Sequence, residues 1–300
     1  MIYQLELAPQ SGCQLIKGRL ETSFYWIKEK GYTLSVEKPD ECDQKSLLIT
    51  LCGPDRTGVF NNEDIIYIFK HQMAEIISEI IMGYWEKRII QNKVERQYRR
   101  IPIDEQARII EKASDFLSRC NENESLNLLL KFGRKNKIAH RVLDHLHNSN
   151  ALNIEGLIHF RLQEYLREVN FAIDLAYEDL RNEKQYNEFV KLLKYFVETQ
   201  PPKIQEVNIF IEESGLFRLW DETGNAIEQD FVELYLDEII NNEANLDDLL
   251  ISILMTISPR RIVFHSTGGL PEGEPTRIIS QVFKERIVLC KGCDRCLFIH

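Results

Sequence analysis

From Asn153 to Gln200 the chain keeps a helical period with a single glycine and no proline, and at Pro201-Pro202 that period stops. Apolar residues fall at Ile154, Leu157, Ile158, Leu162, Tyr165, Val169, Ile173, Ala176 and Leu180, the three-and-four spacing of one helix face. The opposite side carries Arg161, Glu164, Arg167, Glu168, Asp174 and Glu178. Asn153 can cap the first turn, and Glu155 lies near the positive end of the dipole, where a carboxylate is favoured. One unbroken helix to Leu180 would span roughly 40 Å. A second helix then buries Tyr186, Phe189, Val190, Leu193, Phe196 and Val197. The prolines end it, since neither ring nitrogen donates and Gln200 is pushed out of the helical region. The pair reads as a scaffold joining a basic helical half to an acidic α/β half, and His159, Arg161 and Arg167 on it read as scaffold residues first.

Strand periods flank this helical middle. Residues 2–8 and 32–37 alternate, residues 15–29 have helical spacing through Leu15, Ile16, Leu20, Phe24 and Ile27, and 47–52 is a short apolar run. Together they predict a small β-α-β-β unit over 1–58. The helical domain over 59–200 starts with a long helix at 63–96. A helix opened by Pro102 follows at 103–119, then one at 125–147 interrupted by Gly133. Beyond the prolines, 207–211 and 216–220 flank a glycine turn as a hairpin, and 221–225 is a second turn. Helices at 231–240 and 246–257 follow. A strand at 261–265, a helix at 276–283 and a strand at 286–290 form a unit expected to be parallel and right-handed. The fold class is therefore α+β and predominantly α-helical. A long helical middle lies between the small N-terminal α/β unit and a C-terminal α/β part over 201–300 that ends in a cysteine cluster.

Four segments in combination carry a family resemblance: Asn153-Ile154-Glu155-Gly156, Leu192-Leu193-Lys194-Tyr195-Phe196-Val197, Asp221-Glu222-Thr223-Gly224-Asn225 and Asp247-Asp248-Leu249-Leu250-Ile251-Ser252. Over roughly residues 152–265 the sequence resembles the YtxC-like family, sporulation proteins of endospore-forming bacteria. The resemblance implies a sporulation-associated setting. It carries no activity, ligand set or site residue.

Charge and cysteine use narrow the function classes. A net charge of −10 disfavours wholesale nucleic-acid binding, but residues 84–141 hold fourteen Lys and Arg against eight Asp and Glu, while 201–256 hold two against thirteen. Such separation can steer a partner or orient one copy against another within the roughly 8 Å reach set by physiological salt. Tyr84, Trp85 and Tyr98 among the basic residues could stack on single-stranded nucleic acid, although cations also complement a helix C-terminus. No apolar run approaches the about 18 residues of a membrane helix, and the N-terminus lacks a basic stretch followed by an apolar one. The expectation is a cytoplasmic protein without membrane contact. It would bind an unknown protein partner or itself and leans away from catalysis.

The seven cysteines, at 13, 42, 52, 120, 290, 293 and 296, are odd in number and crowded at one end, which argues against a disulfide framework. Cys120, beside Arg119, reads as structural. In the tail, two overlapping C-x-x-C spacings let Cys290, Cys293 and Cys296 converge on one ion or cluster, with His300 or His265 as a fourth ligand. Thiolate softness points to zinc or an iron-sulfur centre. The same spacing suits a redox pair whose pKa values Lys291 and Arg295 would lower, and idle thiols at a strand end remain the plain alternative.

Other groupings are weaker. His140 and Asp144 share a helix face with His145 and His147 nearby, as a metal site could require, although helix ends favour histidine for dipole reasons. The loop 53–58 is a turn and lacks the Gly-Lys-Ser/Thr ending of a phosphate loop. Residues 265–269 follow a strand where open sheets bind ligands, but Glu272 and Glu274 would repel an anion. Asp221, Glu222, Asp247 and Asp248 could pair as acid and base but read as caps and solvated faces.

Overall fold

The period-two stretches pair as their alternation requires. In the computed structural model, which describes residues 1–9, 12–37, 46–53, 61–119, 123–211, 216–227, 246–265, 274–293 and 296, β1 (Tyr3–Ala8) pairs antiparallel with β3 (Leu47–Cys52). On its other side β1 pairs in parallel with β4 (Ala151–Asn153). β2 (Thr33–Glu37) runs antiparallel along β3, completing the order β2-β3-β1-β4. Alternation turns Tyr3, Leu5 and Leu7 of β1 and Leu47, Ile49 and Leu51 of β3 to one buried face. Two helices, α1 (Cys13–Ser23) and α2 (Tyr25–Glu29), join β1 to β2 and add Ile16, Leu20, Phe24 and Ile27 to the same core.

The chain divides into two compact units, Met1–Arg181 and Asn182–His300. In the first, α3 (Asn62–Ile80) runs through one π-helical turn (Ile81–Trp85) into α4 (Glu86–Gln97). The helix expected at 63–96 thus exists, widened at one turn, where Trp85 is buried and its Nε1–H donates to Glu155 Oε1 at 3.2 Å. Next comes α5 (Ile103–Ser118), with Pro102 just outside it in the capping position. Asn123 Oδ1 caps α6 (Glu124–Asn148) by accepting from Ser125 N at 3.0 Å and Leu126 N at 3.2 Å. That helix continues through Gly133, because a glycine costs about 1 kcal/mol in a helix but does not break it.

Asn153 caps α7 (Ile154–Arg161) as its side chain suggested, accepting from Gly156 N at 2.7 Å. The helix is not continuous to Leu180. It stops at Leu162, whose side chain is buried and whose backbone leaves the helical region at φ −105° and ψ 42°, and the Gln163 side-chain amide donates to the freed His159 carbonyl. Conversely, no break near Leu180 separates the first expected helix from the second. α8 (Gln163–Thr199) is one run, since the Arg-Asn-Glu-Lys-Gln stretch at 181–185 contains no glycine or proline to break it.

In the second unit, β5 (Glu206–Ile211) pairs antiparallel with β6 (Phe217–Asp221) and in parallel with β7 (Arg261–His265), which pairs in parallel with β8 (Ile287–Leu289). The order is β6-β5-β7-β8. One face of this sheet, with Val207, Ile209, Leu219, Ile262 and Phe264, is buried with residues of α9 (Leu246–Ile257), α10 (Glu274–Val282) and the 182–199 part of α8. The other face carries Asn208, Trp220 and His265, by the strict alternation of side chains along a strand.

Among the described residues, no helix is long and apolar enough to cross a membrane. Cys42, Cys120, the loop at 54–58, the turn at 212–215, the helix expected at 231–240, the loop at 266–273, Arg295 and His300 lie outside the described residues.

Candidate metal centre

Strand register brings the tail cysteines to a histidine. β7 ends in His265, and the Cys290 N–H donates to the Phe264 carbonyl at 2.9 Å, extending the β7–β8 ladder by one residue. Cys290 and His265 therefore sit side by side at the carboxyl ends of parallel strands, where open sheets place their ligands. Gly292 then turns the chain at φ +101°, a conformation that side chains disfavour. The Cys296 N–H donates to the Cys293 carbonyl at 2.9 Å and returns the third thiol to the same point.

The four ligand atoms lie within 4.8 Å of one another. His265 Nδ1 is 3.4 Å from Cys296 Sγ and 3.5 Å from Cys293 Sγ. Cys296 Sγ is 3.7 Å from both Cys293 Sγ and Cys290 Sγ. A tetrahedron edge is about 1.63 times its centre-to-vertex distance, so ligands on one zinc, with Zn–S about 2.3 Å and Zn–N about 2.0 Å, stand about 3.8 Å apart for sulfur pairs and about 3.5 Å for nitrogen-sulfur pairs. These four edges match both values. The ligands of an iron-sulfur cluster bind different irons and must stand farther apart, so these edges fit a single ion.

A second layer orients the histidine. His265 and Asn208 are both 5% exposed, and His265 Nε2 lies 2.9 Å from Asn208 Oδ1. The Asn208 amide is itself oriented, because its Nδ2 donates to the Asp221 carbonyl at 3.3 Å. Oδ1 is thereby the atom left facing the ring, Nε2 carries the proton, and Nδ1 keeps its lone pair toward the thiols. The Trp220 ring lies against the imidazole, with centroids 5.1 Å apart. Removing the acceptor in an Asn208→Leu variant is expected to weaken metal binding about 10- to 100-fold while leaving all four ligands in place. A competition titration against a chromogenic chelator measures it.

Asp221 belongs to the turn that holds this carbonyl. Its Oδ1 accepts from Thr223 Oγ1 at 2.7 Å, Thr223 N at 2.8 Å and Asn225 N at 2.9 Å. The Thr223 hydroxyl first, then the Asn225 and Thr223 amides, hold the carboxyl down at about 2. Because the folded value is depressed, the stabilisation is full above the unfolded value of about 4 and is lost as pH falls through about 2. The stability difference between wild type and an Asp221→Ala variant is expected to shrink across that window, as urea midpoints at neutral and acid pH can show.

A backbone hydrogen bond with Cys293 draws the Cys296 thiol down, but burial and the neighbouring Cys293 and Cys290 thiols outweigh it and leave the thiol above its ordinary value. This is the expected state of thiols packed together without a shared cation.

The fourth ligand-type side chain that the structure brings to the three thiols is His265, while His300 lies outside the described residues. His140 and Asp144 are exposed, and His145 Nε2 sits 2.8 Å from the Ala151 carbonyl. Among the described residues, no other set of three ligand-type side chains converges. Of the aromatics in the basic region, Trp85 is buried, and Tyr98 packs on Tyr177 with centroids 4.6 Å apart and donates to Asp174 Oδ1 at 3.3 Å. Asn208 went unremarked in the sequence. Its signal is a single amide in an otherwise apolar strand, Val207-Asn208-Ile209-Phe210-Ile211.

Fold and site together define a predominantly helical α+β protein with a cysteine-histidine cluster on a small mixed sheet. Residues 71–288 match the YtxC-like family, and the chain belongs to that family. A Bacillus subtilis (strain 168) relative named "Uncharacterized protein YtxC" is 25% identical over 250 residues, covering 82% of this chain and 85% of its own. No solved structure matches.

Proposed function

We propose that the chain is a zinc-holding cytoplasmic protein of sporulating bacteria that acts by binding or scaffolding and not by turning over a substrate. The observation that carries the metal reading is the set of edges between His265 Nδ1 and the Cys293 and Cys296 sulfurs, which are those of one tetrahedral ion. Four protein ligands leave no coordination position for a substrate, as in structural zinc sites, so the ion's task is to tie the 290–296 segment to β7. The sporulation setting comes from the family resemblance.

Exposed apolar side chains support the binding role. Leu128 and Leu129 are each 68% exposed and Phe132 is 60% exposed on one half of α6, and such grouped exposure marks a contact surface. Light scattering decides whether a second copy covers it.

Titrating metal-free full-length protein with cobalt(II) tests the centre. Tetrahedral thiolate coordination gives intense visible and near-ultraviolet bands that reach an end point at one equivalent. A faint spectrum of hydrated cobalt throughout the titration would sink the reading.

A further inference from the structure

α6 turns Arg134, Lys137 and Arg141 to one side at three-and-four spacing, and that side meets the junction where α7 ends and α8 begins. There these three join Arg161 and Arg167 around a cavity of about 230 Å³. Two carboxylates, Glu164 and Glu168, line the same space, and Glu168 is already engaged. Its Oε2 accepts from Arg134 Nε at 3.0 Å, and its Oε1 lies 3.8 Å from Lys137 Nζ. Arg134 is further committed, donating to the Leu117 carbonyl at 3.0 Å.

That leaves Arg141, Arg161 and Arg167, which make no ion pair among the described residues, with Glu164 as the unengaged carboxylate of the same lining. All three arginines are exposed, so their guanidinium groups are open to a ligand from solvent, and an anion between them would relieve their mutual repulsion. The start of α8 adds to the same field. Leu162, which precedes it, has no side-chain oxygen to cap the first-turn N–H groups, and the positive end of the helix dipole lies there.

We propose that this cavity binds a phosphate-bearing small molecule, with the phosphoryl oxygens held by Arg141, Arg161 and Arg167. Guanidinium forks match phosphate oxygens two at a time, which a point charge cannot do. The volume is below the roughly 300–1,000 Å³ of sites that enclose a drug-sized ligand, so it takes a phosphate or diphosphate group and leaves any larger body outside. Ile138 and Leu162 supply the apolar part of the lining. This site lies in the first unit and does not depend on the metal centre.

Isothermal titration of the full-length protein at fixed ionic strength tests it, with inorganic phosphate, pyrophosphate and a nucleoside diphosphate as probes and sulfate as the control dianion. Pyrophosphate and the nucleoside diphosphate are expected to bind alike and more tightly than sulfate if the diphosphate group alone is recognised. Tighter binding of the nucleoside form identifies a larger phosphorylated ligand as the source. Arg141→Gln, Arg161→Gln and Arg167→Gln are each expected to weaken binding about tenfold, the loss of one charge-assisted contact. Arg100→Gln, at an exposed arginine outside the lining, is expected to leave it unchanged. Glu164→Gln removes the opposing carboxylate and is expected to tighten binding about threefold, which keeps a positive readout should an arginine variant misfold. No binding of any phosphate probe, or equal affinity in the triple arginine variant, overturns the proposal.

Discussion

A Cys293→Ser/Cys296→Ser variant is expected to retain less than about a tenth of the wild-type metal and to destabilise the second unit while the first keeps its stability. Two of the four donors vanish, and the remaining pair cannot hold a zinc ion against solvent. A site saturated at a thousand times its dissociation constant contributes about 4 kcal/mol by linkage, and that contribution is what the variant forfeits. An apolar core of Val207, Ile209, Leu219, Ile262 and Phe264 packed with α9 and α10 exists beside the centre, so the metal adds to a core here, whereas in zinc fingers it stands in for one. Amide exchange reads the outcome directly. Protection should fall in β5 and β7 and persist in β1 and β3. Unchanged protection in β5 and β7 of a metal-free variant would make the thiols idle.

The second large effect is confined to the other unit. Phe69 is fully buried on α3, with its ring 5.7 Å from that of Tyr3 and 5.0 Å from that of Phe24, so it ties the helix to β1 and to the end of α1. Phe69→Ala is expected to destabilise the first unit by about 3–5 kcal/mol, through lost transfer energy and the cavity left behind. Metal content per chain should stay at the wild-type value, since every ligand lies between His265 and Cys296. Urea unfolding followed by circular dichroism, with metal measured on the same samples, checks both halves of the expectation.

Much of this architecture was legible because each element carries its own period. The alternation of β1 and β2, the helical spacing in α3 and α6, the Asn153 cap and the hairpin of β5 and β6 are local properties, and local properties can be read without knowing the fold. What failed to read was non-local or locally silent. β4 is only Ala151-Leu152-Asn153, too short for a period, and exists because β1 offers it an edge. The break at Leu162 has neither glycine nor proline to announce it. Its cause is a buried leucine and a glutamine that caps the end of the preceding helix.

The candidate metal centre divides the same way. Three thiols at C-x-x-C spacing are visible in any reading of the tail, but the fourth ligand was open between His265 and His300. Parallel pairing of β7 and β8 sets His265 beside Cys290, and pairing partners far apart in sequence leave no local mark. The second layer was further from view. The turn at Asp221-Glu222-Thr223-Gly224-Asn225 stood out as a family segment, yet its link to the metal centre runs through the Asp221 carbonyl, Asn208 and His265, three residues on three strands.

The most direct test is elemental analysis of the full-length protein purified without oxygen, with the triple Cys290→Ser, Cys293→Ser, Cys296→Ser variant beside it. The expected result is one zinc per chain in the wild type, none in the variant, and a lower unfolding midpoint for the variant. Wild-type protein with no stoichiometric zinc or iron, and a triple variant equally stable, would contradict the account.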